Sequence, residues 1–169
     1  MFFRKVSYEQ FVKDYTNIFY PNKQLPLGLD EYLHKIYDNI QIPKRGTKFS
    51  AGYDLTTPIA FKLEPGDTIL IPSGIRVCLD DDKVFQIYPR SSTGMKGLYI
   101  QNQVGVIDSD YFFAKNEGHI MYGLGNRSNE TILYSEGARI LQGIINKYYT
   151  VEEDNVYTER TGGTGSTGK

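Results

Sequence analysis

The sequence has few of the residues on which several protein classes depend. Its 169 residues include one cysteine, Cys78, two histidines and no tryptophan. A single cysteine excludes an internal disulfide framework, and one cysteine with two histidines cannot complete a four-ligand Cys/His zinc cluster within one chain. Because proteins of oxidising compartments commonly depend on disulfides, we expect a reducing, cytoplasmic location.

Long apolar runs and a dominant charge are also absent. The 19 basic and 20 acidic residues give a net charge of -1, so there is no overall positive field for a nucleic-acid backbone or an anionic membrane. No stretch approaches the roughly 18 consecutive apolar residues of a membrane-spanning helix, and charges enter the N-terminal segment too early for a signal peptide. We therefore expect no direct nucleic-acid or membrane partner, and an anionic ligand would need a local site.

The remaining composition, 40% hydrophobic and 23% charged, is typical of one folded domain. Within residues 7–40, apolar side chains recur every three or four positions in two stretches, which predicts two amphipathic helices, and Ser7 with Gln10 has the pattern of a capping box. Residues 41–150 contain short β-type runs between turn residues, which predict an all-β sandwich, jelly roll or barrel. A glycine-rich arm follows over residues 158–169, and MFFRKV at the start fits either an added strand or a frayed end.

Two polar segments of the β region contain the residues that a phosphate site needs. SAGYDL includes Asp54 beside a glycine, and PRSSTGMKG places Arg90, Ser91 and Ser92 in a row after a strand. A guanidinium binds phosphate oxygens through two parallel hydrogen bonds, while hydroxyls and glycine amides fill the remaining lone pairs. Polar connecting loops would contain the same residues, so each segment alone is a weak signal.

The segment QNQVGVIDSDY, residues 101–111, is the most informative. Asn102 offers a donor and an acceptor that suit the edge of a pyrimidine, and the apolar pair Val106 and Ile107 precedes Asp108. A partly desolvated aspartate near bound phosphates is suited to act as a general base toward water. From spacing alone, an acidic hairpin turn explains these residues equally well.

Two later segments complete the set. EGARILQG places Arg139 and Gln142 three apart on a strand-like run, so we expect them on opposite faces and interpret Arg139 as a structural ion-pair partner. The segment RTGGTGSTGK resembles a Walker nucleotide-binding loop, but such a loop needs a helix after its lysine, and here the lysine is the last residue. We interpret the arm instead as a segment that wraps a bound phosphate.

In their order and spacing, these five segments resemble the five motifs of the trimeric dUTPase family over residues 50–169. The resemblance implies a dUTPase-like β jelly roll that assembles as a homotrimer, with active sites at subunit interfaces built from motifs of different chains. It also implies hydrolysis of dUTP to dUMP and pyrophosphate with Mg2+. That reaction limits uracil incorporation into DNA and supplies dUMP for thymidylate synthesis.

The resemblance further implies a role for each motif residue. Asp108 matches the aspartate that activates the attacking water, Tyr111 the tyrosine that packs on deoxyribose and excludes a 2′-hydroxyl, and Asn102 the uracil-binding group. Asp54 matches an aspartate that contacts the metal indirectly, through water, while the triphosphate oxygens hold most of the Mg2+. The other matches are substrate-binding positions: Arg90, Ser91, Ser92, Gly105, Val106, Ile107, Gln142, Arg160, Ser166 and Thr167.

Two features depart from the family pattern. Thr164 stands where the arm usually has an aromatic residue that covers uracil, so we hypothesise that Phe112 or Phe113 supplies a substitute ring. The helical segment 7–40 has no counterpart in the family's compact core and resembles an insertion, which we predict to pack on the trimer or to bind a protein partner.

Two alternative functions stay open at the level of sequence. The dCTP deaminases share the fold and the trimer, but Gly123 and Met95 stand where those enzymes have a catalytic glutamate and an arginine. The other alternative is a nucleotide-binding regulatory protein that acts through its helical segment. The joint presence of Arg90, Asp108 and Tyr111 favours catalysis over that alternative.

Overall fold

The computed structural model describes residues 1–158, 160 and 162, and this part of the chain is mostly β-structure with few helices. The helices are α1 (Tyr8–Phe19), α2 (Leu29–Asn39), the short α3 (Ser91–Met95) and a 3-10 helix at Ser109–Phe113. The strands are β1 (Phe2–Lys5), β2 (Lys44–Arg45), β3 (Tyr53–Thr56), β4 (Phe61–Leu63), β5 (Thr68–Pro72), β6 (Ile75–Cys78), β7 (Lys83–Pro89), β8 (Leu98–Ile100), β9 (Gly105–Ile107), β10 (Met121–Asn126), β11 (Ile132–Tyr134) and β12 (Arg139–Lys147). Within these residues, none of the helices has the length and apolar character needed to cross a membrane.

The strands pair antiparallel throughout the described sheets, as the predicted all-β class requires. The largest sheet has the order β2-β3-β12-β7-β9, a second has the order β5-β10-β8, and β1-β6 and β11-β4 form two-stranded pairs. Because β12 lies between β3 and β7, three motif segments that are far apart in sequence meet in one sheet. This sheet therefore positions most of the candidate site.

The N-terminal strand β1 settles one question left by the sequence. Phe2 to Lys5 pair with Cys78 to Ile75 on β6, so the chain start is an added strand and not a frayed end. Gly74 immediately precedes β6, and its φ of 72° lies in the left-handed region that glycine adopts without strain.

The helix α1 begins at a cap that matches only half of the predicted capping box. The Ser7 hydroxyl accepts a hydrogen bond from the backbone N–H of Gln10 at 3.1 Å. The Gln10 side chain does not return to Ser7 but donates to Asp14 at 2.7 Å. The backbone N–H of Ser7 donates instead to the carboxylate of Glu117 at 2.8 Å. A cap that looks local in sequence is therefore completed by a distant loop.

Both long helices bury their apolar faces in the same core as the strands. Phe11, Leu33 and Ile36 are almost fully buried there, next to β-strand residues such as Ile71 and Val77. Burial of one such side chain stabilises a fold by about 1.5–3 kcal/mol. The apolar stripes of residues 7–40 are thus internal packing faces.

Candidate active site

A cavity of about 250 Å³ lies beside β9, and the segment QNQVGVIDSDY forms much of its wall. Seven of its lining residues were predicted from sequence as site residues: Asn102, Gly105, Val106, Ile107, Asp108, Tyr111 and Arg160. The remaining lining residues are apolar or uncharged, a wall that sequence patterns did not reveal: Ile87, Ile100, Ile120, Met121, Tyr122 and Leu141. An apolar wall with a few convergent polar groups is the usual form of a small-molecule site.

The turn between β8 and β9 brings Asn102 to the cavity. The carbonyl of Asn102 accepts a hydrogen bond from the N–H of Val104 at 2.7 Å, and Gln103 adopts a positive φ of 66°. A Cβ at Gly105 would lie 3.1 Å from the Cβ of Ile87, so glycine lets β9 approach β7 closely. The tight turn and the close strand pairing together fix the part of the cavity wall that contains Ile87, Asn102 and Gly105.

A charged cluster lies at the edge of the cavity. Asp108 immediately precedes the 3-10 helix, and its side chain is 50% exposed. The guanidinium of Arg160 donates through Nη2 to Asp108 at 2.6 Å and through Nε to Asp110 at 2.9 Å. The central carbon of the Arg160 guanidinium, Cζ, lies 5.6 Å from the ring centre of Tyr111. The structure therefore brings the arm residue Arg160 to the predicted general base and to the second acidic residue of the segment, Asp110.

Tyr111 is held rigidly against this cavity. It is 6% exposed, its hydroxyl donates to the carbonyl of His119 at 2.8 Å, and the same hydroxyl accepts from the side-chain amide of Asn116 at 2.8 Å. Because the hydroxyl both donates and accepts within the turn that follows, the ring is the part of the side chain left for the cavity. Such a ring can pack on a sugar but offers it no hydroxyl group.

A second charged cluster surrounds Asp54. Arg90 Nε lies 2.9 Å from Asp54 Oδ1, and Arg139 Nη1 lies 3.1 Å from Asp54 Oδ2. Gln142 donates to the carbonyl of Pro89 at 3.4 Å, so it lies close to the start of the Arg90 loop. The structure thus pairs Arg139 with a carboxylate, as expected from the sequence.

The expectation that Arg139 and Gln142 lie on opposite faces of β12 was wrong. A bulge between Arg139 and Leu141 shifts the register, so Arg139 pairs with Thr56 and Gln142 pairs with Asp54. Thr56 and Asp54 are two apart on β3 and therefore share a face. One extra residue in β12 restores Arg139 and Gln142 to the same side of the sheet, where Arg139 pairs with the Asp54 carboxylate and Gln142 donates to Pro89.

The loop of Arg90 continues directly into α3. Ser91 and Ser92 are its first two residues and are exposed, while the hydroxyl of Thr93 is buried and donates to the carbonyl of Ile140 at 2.7 Å. This buried bond ties the loop to β12. Exposed hydroxyls next to Arg90 are thereby available to an anion.

The ring of Phe112 packs on Arg76 and Phe2, and its stacking on uracil stays a prediction. The guanidinium of Arg76 lies 3.6 Å from the ring centre of Phe112, and Phe2 packs on the same ring edge-to-face at 5.8 Å. Neither Phe112 nor Phe113 is among the described residues that line the cavity. Phe113 is 80% exposed, and its proposed stacking role stays a prediction.

Three predicted positions cannot be placed. Thr164, Ser166 and Thr167 lie outside the described residues, so the geometry of the arm is defined here only by Thr158, Arg160 and Gly162.

Comparison with known proteins identifies related chains. A sequence model of the dUTPase family matches residues 38–168. A deoxyuridine 5'-triphosphate nucleotidohydrolase of Lactococcus lactis subsp. lactis is 40% identical over 133 residues, which cover 76% of this chain and 89% of that protein.

Solved structures show a similar fold. The crystal structure of dUTPase from Streptococcus mutans matches with a TM-score of 0.61 and 34% identity, covering 66% of this chain and 88% of that one. A dUTPase from phage phi11 of S. aureus has a TM-score of 0.59 at 22% identity, covers 72% of this chain and 92% of that one, and supports the fold alone.

Proposed function

The chain belongs to the dUTPase family, and we propose that it hydrolyses dUTP to dUMP and pyrophosphate at the cavity beside β9. The observation that supports this site most strongly is the convergence of Asn102, Asp108, Tyr111 and Arg160 on that one cavity. A dUTP diphosphatase must recognise a base, a deoxyribose and phosphates together, and these residues supply a group suited to each.

We assign recognition of the nucleoside to Asn102 and Tyr111 in the cavity wall. The side-chain amide of Asn102 donates to and accepts from the uracil edge, and a cytosine presents the reverse pattern at its 4-position, which would leave buried groups unpaired. The ring of Tyr111 packs on the deoxyribose, because its hydroxyl is already committed to Asn116 and His119. This arrangement would exclude a 2′-hydroxyl by shape.

We assign activation of water to Asp108. Its carboxylate takes a proton from the attacking water, the new P–O bond forms at the α-phosphorus, and the bond to the pyrophosphate leaving group breaks. Arg160 is paired with Asp108 in this structure, and a bound triphosphate offers competing oxygens to the guanidinium. Transfer of Arg160 to phosphate would free Asp108 to accept the proton.

The phosphates are bound, in this proposal, by Arg90, Ser91, Ser92 and Gln142, with Ser166 and Thr167 of the arm completing the contacts. Asp54 holds Arg90 through an ion pair of 2.9 Å, so it orients that guanidinium toward an anion. Replacement of Asp54 by asparagine should raise the KM for dUTP several-fold with a smaller change in kcat, since it releases a binding group and not the base.

Magnesium fits this site only through the substrate. Among the described residues, no three Asp, Glu, His or Cys side chains converge to form a cage, and both oxygens of Asp54 are occupied by arginines. The water-mediated contact predicted for Asp54 would have to compete with those two ion pairs. The triphosphate oxygens and water would hold Mg2+, which neutralises charge on the phosphates. The phage phi11 relative is described with a structural Mg(II) ion.

We propose that the functional assembly is a homotrimer whose sites are shared between chains. The Arg90 and Asp54 residues do not line the described part of the cavity, so a neighbouring chain would have to bring its phosphate-binding loop to it. Inactive Asp108→Asn and Arg90→Ala chains that are mixed while unfolded and then refolded together should form mixed trimers with part of the activity. Size-exclusion chromatography with light scattering should give three chains, and no recovery on mixing would contradict shared sites.

The reaction itself is tested with dUTP, dCTP, dTTP and UTP in the presence of Mg2+. Pyrophosphate released from dUTP alone supports the proposal. Ammonia from dCTP would identify a deaminase, although Gly123 and Met95 argue against it, and no product from any of the four would favour the nucleotide-binding regulator. Removal of Mg2+ with a chelator should abolish the pyrophosphate signal.

For the 7–40 segment, we retain the proposal that a protein partner binds it. The apolar faces of α1 and α2 are packed on the core, so a partner would contact the exposed residues of the segment, whose large apolar side chains are Leu25, Leu27 and Tyr32. In a variant with Leu27→Ser and Tyr32→Ser, a partner protein that co-purifies with the wild type should no longer do so, and dUTP hydrolysis should be unchanged. A cytoplasmic location likewise stays a prediction.

A further inference from the structure

The turn after the 3-10 helix has a backbone that needs support from outside. Glu117 and Gly118 adopt φ values of 57° and 68°, both in the left-handed region. Gly118 has no alternative, because a Cβ there would lie 2.6 Å from the carbonyl oxygen of Tyr111 and 2.8 Å from the Cα of Phe112. Glu117 is not a glycine, so its conformation persists only where surrounding contacts determine it.

The N-terminus of α1 supplies contacts for Glu117. The Glu117 carboxylate accepts a hydrogen bond from the backbone N–H of Ser7 at 2.8 Å and another from the Ser7 hydroxyl at 2.6 Å. Arg76 Nη1 lies 3.7 Å from the same carboxylate. Hydrogen bonds to a carboxylate at a helix N-terminus are strong, because charge and the helix dipole act together. Ser7 therefore fastens the strained residue to α1.

The middle of α1 holds the other end of the turn. His119 is 0% exposed; its Nε2 accepts the N–H of Gly74 at 2.7 Å, so Nδ1 has the proton and donates it to Asp14 at 2.7 Å. With both ring nitrogens used and no exposed surface, the imidazole is not placed for acid–base chemistry. It is a fixed link between α1, Gly74 just before β6, and the turn.

The same turn holds Tyr111 in the cavity wall. The Tyr111 hydroxyl donates to the carbonyl of His119 and accepts from Asn116, both at 2.8 Å. The N–H of His119 in turn donates to the carbonyl of Asn116 at 3.0 Å. Two hydrogen-bond steps therefore join Asp14 on the helix to the ring that faces the ligand.

We infer that α1, through Ser7 and Asp14, is a positioning element for Tyr111 and thereby sets discrimination between deoxyribose and ribose nucleotides. The inference rests on the proposed function, because it assigns Tyr111 to the sugar. Ser7 and Asp14 are positioning residues in this scheme, since neither lines the cavity in the described chain.

The test compares Asp14→Ala, Asp14→Asn and the control Asn17→Ala. Asparagine keeps an oxygen that can accept from His119, alanine removes it, and Asn17 is an exposed residue on the same helix. Values of kcat and KM are measured for dUTP and UTP well below the melting temperature of each variant. Hydrogen exchange is followed in a peptide covering residues 109–119, with a β7 peptide as the internal reference.

We expect Asp14→Ala to lower the dUTP-over-UTP ratio of kcat/KM by about tenfold, in the range that small misplacements of a positioning group produce. The change should fall mainly on KM, Asp14→Asn should recover most of it, and exchange in 109–119 should rise while the β7 peptide is unaffected. If Asp14→Ala does not fold, Ser7→Asp replaces it, because aspartate still caps α1 but repels Glu117.

Unchanged selectivity together with unchanged exchange in 109–119 would overturn the inference, as would a uniform rise of exchange in both peptides. A wild-type protein that does not hydrolyse dUTP would refute the proposed function instead. In that case the exchange comparison alone still decides whether α1 holds the turn.

Discussion

The variants Asp108→Asn and Asp110→Asn form a matched pair, and comparing them isolates the contribution of the proposed general base. The two carboxylates are 50% and 51% exposed, and each accepts one hydrogen bond from the same guanidinium, that of Arg160. Only Asp108 lines the cavity in the described chain. The pair therefore separates loss of an Arg160 contact from loss of the group that faces the ligand.

The effect on stability should be small in both variants. An exposed ion pair contributes about 0–1 kcal/mol, and in a protein of this size 1 kcal/mol shifts Tm by about 2–4 °C. The effect on turnover should differ sharply. Loss of a general base commonly lowers the rate by about 10²–10⁴-fold, whereas Asp110→Asn should lower kcat by less than about tenfold.

The assay is initial-rate release of pyrophosphate from dUTP with Mg2+, and calorimetric titration with a non-hydrolysable dUTP analogue measures binding separately. Asp108→Asn should bind the analogue nearly as well as wild type. The reasoning is refuted if Asp108→Asn retains more than about a tenth of wild-type kcat, given the size of general-base effects. Equal losses in the two variants would show instead that Arg160 pairing is what matters.

Two further perturbations concern stability. A Cβ at Gly143 would overlap the ring of Phe85, so Gly143→Ala should destabilise the fold by about 1–3 kcal/mol in thermal or urea unfolding, whereas Gly46→Ala, which has open space, should change little. Although burial alone would raise the pKa values of Asp14 and Glu117, hydrogen bonds to their carboxylates hold both pKa values below the usual range. Both groups therefore stabilise the fold above the pKa of the unfolded chain, about 4, and this contribution is lost as pH falls through the folded pKa. Urea unfolding from pH 6 to 3 should show a shallower decline in Asp14→Asn and Glu117→Gln, and equal slopes in all three proteins would contradict it.

Local patterns predicted the secondary structure well where the determining contacts are local. The run KVFQIYP coincides with β7, and α1 begins at the Ser7 cap, because strand alternation and helix capping depend on neighbours in sequence. The two helices fall inside residues 7–40 for the same reason. The half-formed capping box was not predictable, since Glu117 competes for the Ser7 amide from 110 residues away.

In the candidate site, too, residues placed by local contacts were predictable from the sequence, and residues placed by distant contacts were not. The residues of QNQVGVIDSDY reach one cavity because they follow each other through a turn, a strand and a 3-10 helix. The bulge in β12 places Arg139 and Gln142 on the same face, whereas regular strand alternation predicts opposite faces. No residue in EGARILQG indicates that a bulge occurs there. The packing of Phe112 under Arg76 likewise depends on β6, which the sequence does not connect with that loop.

The helices α1 and α2 belong to the folding unit even though the family match begins at residue 38. Inside the matched region, Nδ1 of the fully buried His119 and the carboxylate of Glu117 have their partners at Asp14 and Ser7. Leaving such groups unpaired costs about 1–3 kcal/mol each, and more when the group is charged. Loss of buried side chains such as Phe11 would add about 1.5–3 kcal/mol apiece. Because a domain is stable by only about 5–15 kcal/mol, we expect the β core of this chain to depend on its helical segment for folding as well as for the geometry of the turn beside Tyr111.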